Sequence, residues 1–248
     1  MIPEQQEIAR TINHLFDVFI NSECEIRPHF FLTGPSGSGK SYLIQTIAEQ
    51  KGAAYFEINA AQLTKEGFSG NSLSKAMRPL INSWDRPTIV FVDEFDKLLN
   101  QNGGSMEHTL GVQDEFLKVL ESTHVSIFTD YGKYQAYEGN RVLYVFAGAF
   151  GGQDKMTLDD LRERGLRTEF VGRVGLVYNT QKISLDSMLQ LVPKAKLLTE
   201  YLKLYPKIQK NQVIKHVSTK LREIYRDSTI GLRAINTLLH QHFLQKQD

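Results

Sequence analysis

The sequence predicts an α/β protein: a parallel β-sheet flanked by helices, followed by a small domain built from helices alone. Three observations predict it. Short apolar runs alternate with helical patterns from residue 29 to about residue 178, the alternation of a parallel sheet with covering helices. One of those runs leads into a glycine-rich turn, and another ends in paired carboxylates. From Leu185 onward the apolar residues fall at helical spacing only. The expected division is 1–180 for the sheet domain and 181–248 for the helical one.

The expected strands are Phe30–Thr33, 54–58, 88–92, 142–147 and 176–178. Thr88-Ile89-Val90-Phe91-Val92 is continuous in β-branched and aromatic residues, as a strand buried on both faces should be. In the helical part, Leu189, Val192, Leu197, Leu198, Tyr201 and Leu204 form one stripe, which Pro206 interrupts. Val213, Val217, Leu221, Ile224 and Tyr225 form a second. Leu232, Ile235, Leu238, Leu239 and Phe243 form a third. Ser184 is a suitable N-cap for the first of these helices.

The first strand runs into Gly34-Pro35-Ser36-Gly37-Ser38-Gly39-Lys40-Ser41, and Tyr42 to Ala48 then has helical spacing. Strand, glycine turn and helix N-terminus is the context in which this pattern is a phosphate-binding loop. Gly34, Gly37 and Gly39 let backbone N–H groups close around phosphate oxygens, and the helix dipole adds positive charge at the same point. Lys40 is expected to reach the β- and γ-phosphates of ATP, and the Ser41 hydroxyl to hold Mg²⁺. Pro35, Ser36, Ser38 and Tyr42 complete the nucleotide-facing stretch. The competing reading is an ordinary Gly/Ser loop, against which stands the full motif in register.

The fourth element of the pattern is Asp93-Glu94, at the carboxyl end of the 88–92 strand. Sheet topology delivers that end beside the phosphate loop. Asp93 is expected in the Mg²⁺ shell, and Glu94 to orient and deprotonate the attacking water. The alternative is a solvated acidic turn, since Asp96 follows.

Composition narrows the function classes. With 248 residues, 41% hydrophobic and 23% charged, the chain is an ordinary globular protein able to bury a large core. A net charge of +1 provides no global field for nucleic acid or anionic membranes. The longest apolar run, 142–150, is about half a membrane span. The polar N-terminus is unlike a secretory signal. Cys24 stands alone, so neither a disulfide framework nor a Cys-based metal site is expected, and a reducing cytoplasm fits. His240 and His242 lie two apart on a helix and do not form a ligand pair.

Several segments resemble the AAA+ module of ClpX-type protein unfoldases. They are Phe91-Val92-Asp93-Glu94-Phe95-Asp96-Lys97, the run from Gly111 to Glu121, the run from Val142 to Phe150 with its Gly-Ala-Phe ending, and the run from Arg164 to Arg173. Their order and spacing match over roughly residues 2–240. The resemblance implies a P-loop NTPase sheet of the AAA+ type with an all-α lid, Mg-dependent ATP hydrolysis and a homo-hexameric ring. It places Arg173 at the arginine finger, whose guanidinium acts in a neighbouring subunit's site; a plain surface charge is the alternative. Ile2 falls where the family's N-terminal segment covers adenine. Phe68, framed by Gly67 and Gly70, falls at the first pore loop, which grips a threaded polypeptide; the alternative is a core phenylalanine in a turn. Residues 100–110 fall at the second pore loop, and 129–137, with Tyr131, Tyr134 and Tyr137, at the channel entrance.

The chain also departs from that pattern. No zinc-binding recruitment domain is expected, and the segment from Phe150 to Asp160 is short for a loop docking onto a ClpP-type peptidase. Ala147 stands where the wider class carries a polar residue, which puts more weight on Glu94. Ile230 stands at the sensor-2 arginine, and Arg233 lies one helical turn on, about 4.5 Å along the axis. The expected function is an ATP-driven ring that remodels or unfolds a protein client without that peptidase, with no membrane and no nucleic acid. The alternatives are a nucleic-acid-handling AAA+ switch, clamp-loader-like or transposition-regulator-like, and an ATP-gated scaffold.

Overall fold

The computed structural model describes residues 2–65, 70–83, 85–99, 106–129, 132–153, 155–225 and 231–244. The chain falls into two compact units. The larger comprises Glu7–Gly34 and Lys40–Thr180; the smaller comprises Met1–Gln6, Pro35–Gly39 and Gln181–Asp248.

In the larger unit, strands β1 (Phe30–Thr33), β2 (Ala54–Asn59), β3 (Thr88–Asp93), β6 (Val142–Gly148) and β7 (Leu176–Asn179) form one sheet in the order β2-β3-β6-β1-β7. All of its pairings are parallel. These are the five strands expected from the sequence. β6 is buried at every position, which suits its run of branched and aromatic side chains. The two-residue period of a strand sends alternate side chains to opposite faces. Phe30, Leu32, Ile89, Phe91, Leu143 and Val145 pack with Ile12, Phe16 and Phe19 of α1 (Pro3–Asn21) and Ile44 and Ile47 of α2 (Lys40–Gln50). Phe31, Val90, Val92, Tyr144 and Phe146 share the other face with Phe95, Phe116 and Phe170.

Those last phenylalanines bear directly on the site. The ring centroids of Phe95 and Phe146 are 4.8 Å apart, and those of Phe146 and Phe170 are 5.2 Å apart. Phe95 follows Glu94 in the chain, and Phe170 lies in α6 (Thr168–Arg173), which ends at Arg173. Burying each such ring is worth about 2–3 kcal/mol, so the core fixes both segments firmly.

One element was not legible as strand. β4 (His124–Phe128) and β5 (Tyr134–Glu138) form an antiparallel pair, where the sequence suggested only a channel-entrance loop at 129–137. Ser74, in the short helix α3 (Leu73–Ala76), holds its edge: the Ser74 hydroxyl donates to the Ser126 carbonyl at 2.9 Å and accepts from the Phe128 N–H at 2.8 Å. Tyr137 belongs to the core and is 4% exposed, so it does not face a channel; its hydroxyl lies 3.4 Å from the Ser83 carbonyl. Tyr134 is exposed, and Tyr131 lies outside the described residues.

The smaller unit is helical. α7 (Leu185–Leu191), α8 (Lys196–Leu204), α9 (Lys210–Ile224) and α10 (Arg233–Leu244) surround a core of Met188, Val192, Leu198, Val213, Val217, Leu221 and Leu239. The first expected stripe is divided here, because Pro193 lies in a 3-10 turn that separates α7 from α8. Ser184 does cap α7, accepting from the Ser187 N–H. Ile2 is buried in this same core. In the larger unit, α5 (Leu158–Glu163) lies between α4 (Met106–Glu121) and α6 in the chain and is started by a Thr157/Asp160 capping box.

Candidate nucleotide-binding site

The phosphate-loop motif begins where β1 leaves the sheet. Thr33 is fully buried; its carbonyl accepts from the Thr180 N–H at 2.8 Å and the Thr180 hydroxyl at 3.0 Å. That crowding reaches Gly34, where an added Cβ would sit 2.1 Å from the Thr180 hydroxyl oxygen, at φ +132°. Gly37 and Gly39 also have positive φ, +70° and +82°, which side chains resist. The Ser38 N–H turns back to the Pro35 carbonyl at 3.3 Å. α2 then starts at Lys40 and buries Leu43, Ile44, Ile47 and Ala48, while Tyr42 is largely exposed.

Lys40 curls back over the start of the loop, its Nζ donating to the Gly34 carbonyl at 2.8 Å. The ammonium is thus held at the loop by a neutral acceptor. Among residues of the larger unit, Gly34, Lys40, Ser41, Asp93 and Glu94 all lie at the carboxyl edge of the parallel sheet or on the helix that follows it.

At the end of β3 the Glu94 N–H donates to Asp93 Oδ1 at 2.9 Å. Glu94 itself is left-handed, φ +55° and ψ +29°, and its side chain is exposed. The conformation has a local cause: β3 runs straight to Asp93, and Phe95 must turn into the core. Asp96 is partly buried against Gly148, where a Cβ would come within 2.5 Å of its Oδ1. Burial raises the Asp96 pKa, with Lys97 and the Ala149 N–H opposing it. Ala147 supplies no polar atom from its side chain, as the sequence indicated.

Arg173 lies elsewhere in the larger unit. It precedes β7, at the amino edge of the sheet, about 13 Å from the carboxyl edge for a four-residue strand. Its Nε and Nη2 donate to Glu121 Oε1 of α4 at 2.9 and 2.7 Å. Beside the pair is a cleft of about 400 Å³ lined by Arg27, His29, Leu120, Glu121, Gly172 and Arg173. His29 is nearly sealed from water: burial, then the Arg27 charge, lowers its pKa to about 3, and Nδ1 accepts the Tyr144 N–H at 3.0 Å. It is a structural neutral imidazole.

Gln113 was given no role from the sequence, yet it orders this region. It is fully buried in α4; its amide donates to the Leu98 carbonyl at 3.0 Å and the Gly165 carbonyl at 3.2 Å, and accepts the Arg167 N–H at 3.2 Å. Arg167 adds an ion pair with Asp114. One side chain thereby ties the segment after Glu94 to the start of the helix that carries Arg173. The signal was present as a polar residue at an apolar position of an amphipathic helix.

In the smaller unit, Arg233 opens α10 and is exposed, and Ile2 is buried among the helices. Ile230 lies outside the described residues, as do Phe68 and residues 100–105. The flanks of residue 68 are described. The Thr64 N–H donates to the Asn71 carbonyl at 3.0 Å, Leu63 and Asn71 form a β-bridge, and Lys75 donates to the Gly70 carbonyl at 3.2 Å.

Among the described residues no group of His, Cys, Asp and Glu could hold a metal ion on protein ligands alone. Ser41 and Asp93 offer instead a hydroxyl and a carboxylate, hard oxygen donors suited to Mg²⁺ that is otherwise held by phosphate and water. The positive-φ glycines and Lys40 suit an anionic phosphate chain. Among the described residues no helix is long and apolar enough to cross a membrane.

Comparisons with known proteins agree with this geometry. A family model described as "ATPase family associated with various cellular activities (AAA)" matches residues 30–161, more than half of the chain. The "ATP-dependent Clp protease ATP-binding subunit ClpX" of Azotobacter vinelandii is 25% identical to it, across 72% of this chain and 52% of that protein. The protein of the same description from Porphyromonas gingivalis is 24% identical, across 72% of this chain and 55% of its own length. The chain thus spans about half the length of these curated relatives. Its sheet order, its phosphate loop and the span of that match lead to one conclusion: the chain belongs to the AAA family of ATPases and carries a ClpX-like module.

Proposed function

We propose that the chain binds and hydrolyses ATP with Mg²⁺ in a homo-hexameric ring, and uses the turnover to remodel or unfold a protein client. The observation that carries this reading is the division of the charged groups between two edges of one sheet. Lys40, Ser41, Asp93 and Glu94 belong to the carboxyl edge, and Arg173 belongs to the amino edge. Within one subunit the guanidinium is too distant to serve the phosphates, so it acts in a neighbour's site.

In this reading Gly34 to Gly39 cradle the phosphates and Lys40 exchanges the Gly34 carbonyl for phosphate oxygens. Ser41 and Asp93 would hold Mg²⁺, which neutralises charge on the β- and γ-phosphates. Glu94 takes a proton from the attacking water, and Arg173 of the next subunit stabilises the transferring group. Ile2 and Tyr42 border the nucleotide, and Arg233 stands in for the sensor-2 arginine. An arginine at the first position of α10 opposes the helix dipole, which favours it only when an anion is near. In this reading residues 1–180 are the nucleotide-binding domain and residues 181–248 the helical lid.

Phe68 is the client-gripping residue in this reading, and the described residues that flank it are tied by the Thr64, Asn71 and Lys75 bonds. The short 150–160 segment supports a remodeller that works without a ClpP-type peptidase. The test is Phe68→Ala. ATP turnover without client is expected to stay within a few-fold of the parent, while unfolding of a fluorescent tagged client is lost. Client unfolding by the variant at the parent rate would overturn the threading reading. Tight DNA binding that weakens steeply with salt would replace it with the nucleic-acid switch.

A further inference from the structure

Among the described residues, two hydrogen bonds from outside the phosphate loop reach its carbonyls. Gln5, in the first turn of α1 and 7% exposed, donates from Nε2 to the Ser38 carbonyl at 2.7 Å. The Leu232 N–H, just before α10, donates to the Gly37 carbonyl at 3.0 Å. Both contacts lie within the smaller unit, which contains 35–39 of the loop. The packing is close on both sides. A Cβ at Gly39 would lie 2.6 Å from Gln5 Nε2, and one at Gly231 would lie 2.6 Å from the Gly37 carbonyl oxygen.

Peptide geometry gives these bonds a consequence. The described backbone has no cis peptide, so each peptide's N–H points opposite to its carbonyl. Fixing the Ser38 carbonyl toward Gln5 therefore turns the Gly39 N–H to the other side of the loop. A peptide free to flip would present its carbonyl where an anion needs a donor. Glycine has no side chain to prevent that flip, so the restraint must come from elsewhere.

We propose that Gln5 is a positioning residue for nucleotide binding, acting through the Ser38–Gly39 peptide. The proposal rests on the phosphate-loop reading above. Gln5 also neighbours Glu4, whose carboxylate accepts from the Ser184 N–H at 2.9 Å and the Ser187 hydroxyl at 2.8 Å. One turn of helix thus holds the phosphate loop through Gln5 and the start of α7 through Glu4.

The experiment measures ADP affinity by calorimetry for the parent, Lys40→Ala, Gln5→Met and Gln5→Glu, with the melting temperature of each protein without nucleotide. Gln5→Met keeps shape and removes the donor; Kd for ADP is expected to rise about tenfold. Gln5→Glu sets a carboxylate against a carbonyl, and a larger loss is expected at pH 8. A buried glutamic acid facing a carbonyl titrates above its usual range, and once protonated it donates. Affinity of Gln5→Glu should therefore recover toward the parent as pH falls to about 5.5. A merely structural role would lower the nucleotide-free melting temperature in step with affinity, whereas positioning lowers affinity at a melting temperature close to the parent's. Both variants binding ADP within twofold of the parent, or a Gln5→Glu deficit that ignores pH, overturns the proposal while leaving the phosphate loop intact. A parent that does not bind ADP, or a Lys40→Ala protein that binds it equally well, overturns the phosphate-loop reading itself and this proposal with it.

Discussion

Glu94, like Glu23, Cys24 and Phe150, accepts a backbone conformation that a side chain otherwise avoids. A left-handed non-glycine residue costs about 1–3 kcal/mol and persists where the surroundings demand it. Glu94→Gly is therefore expected to raise stability by about 1 kcal/mol while removing turnover, and Glu94→Gln to keep ATP bound with turnover reduced about 10²–10⁴-fold. Calorimetric unfolding and phosphate release measure the two effects; a glycine variant no more stable than the parent would refute the strain. Glu4 supports a second prediction. Burial pushes its carboxyl up, but the bonds from Ser184 and Ser187 outweigh that and lower its pKa to about 2. A depressed folded pKa means stability present above the ordinary value near 4.5 and lost as pH falls from there toward 2. Acid unfolding followed by circular dichroism should begin at lower stability in Glu4→Gln and show a shallower loss across that window. The placement of Lys40, Asp93 and Glu94 at one edge of the sheet could be anticipated from the sequence because their pattern is local, while their roles stay proposed. The φ of Glu94, and the roles of Gln5 and Gln113, could not be anticipated, because each depends on a partner distant in sequence.

At the scale of elements, strands β1, β3 and β6 were legible because a strand covered on both faces must be apolar, and such runs stand out. β2 and β7, at the sheet edges and less buried, were legible from the alternation of short apolar runs with helical patterns. The β4–β5 hairpin was not. Exposed and buried residues alternate only along the five positions of β4, β5 buries Tyr137 alone, and the edge is completed by Ser74, from α3. The break at Pro193 was missed because the apolar stripe continues across it, so periodicity masked the missing N–H. Among the helices, α4 does the most to relate site segments, through Gln113. Gln113→Leu would strand the Leu98 and Gly165 carbonyls and the Arg167 N–H without partners. Since each unsatisfied buried group costs about 1–3 kcal/mol, a loss of at least about 2 kcal/mol is expected in denaturant unfolding. ATP turnover should fall further than stability alone explains, because α6 loses its anchor. Unchanged turnover in a correctly folded variant would show that the tie is dispensable.

For the whole molecule, the family and its fold were readable from ordered motifs, whereas assembly and client are proposed. The sharpest test of assembly mixes two inactive proteins. Arg173→Ala subunits retain Lys40, and Lys40→Ala subunits retain Arg173; in a head-to-tail ring at equal mixing, about a quarter of the sites combine both. Turnover should reappear to that extent, with co-assembly followed by sedimentation, and a silent mixed ring would exclude the trans arrangement. Arg173 rests on Glu121 in an exposed ion pair worth about 0–1 kcal/mol and therefore readily surrendered. The placement of Arg173 across the sheet from Lys40 then has a consequence for abundance. In the proposed trans arrangement catalysis belongs to the junction of two copies and not to the polypeptide, so activity would rise more steeply than the amount of protein made. A cell could hold the chain in an idle, dilute state and switch it on by concentration alone.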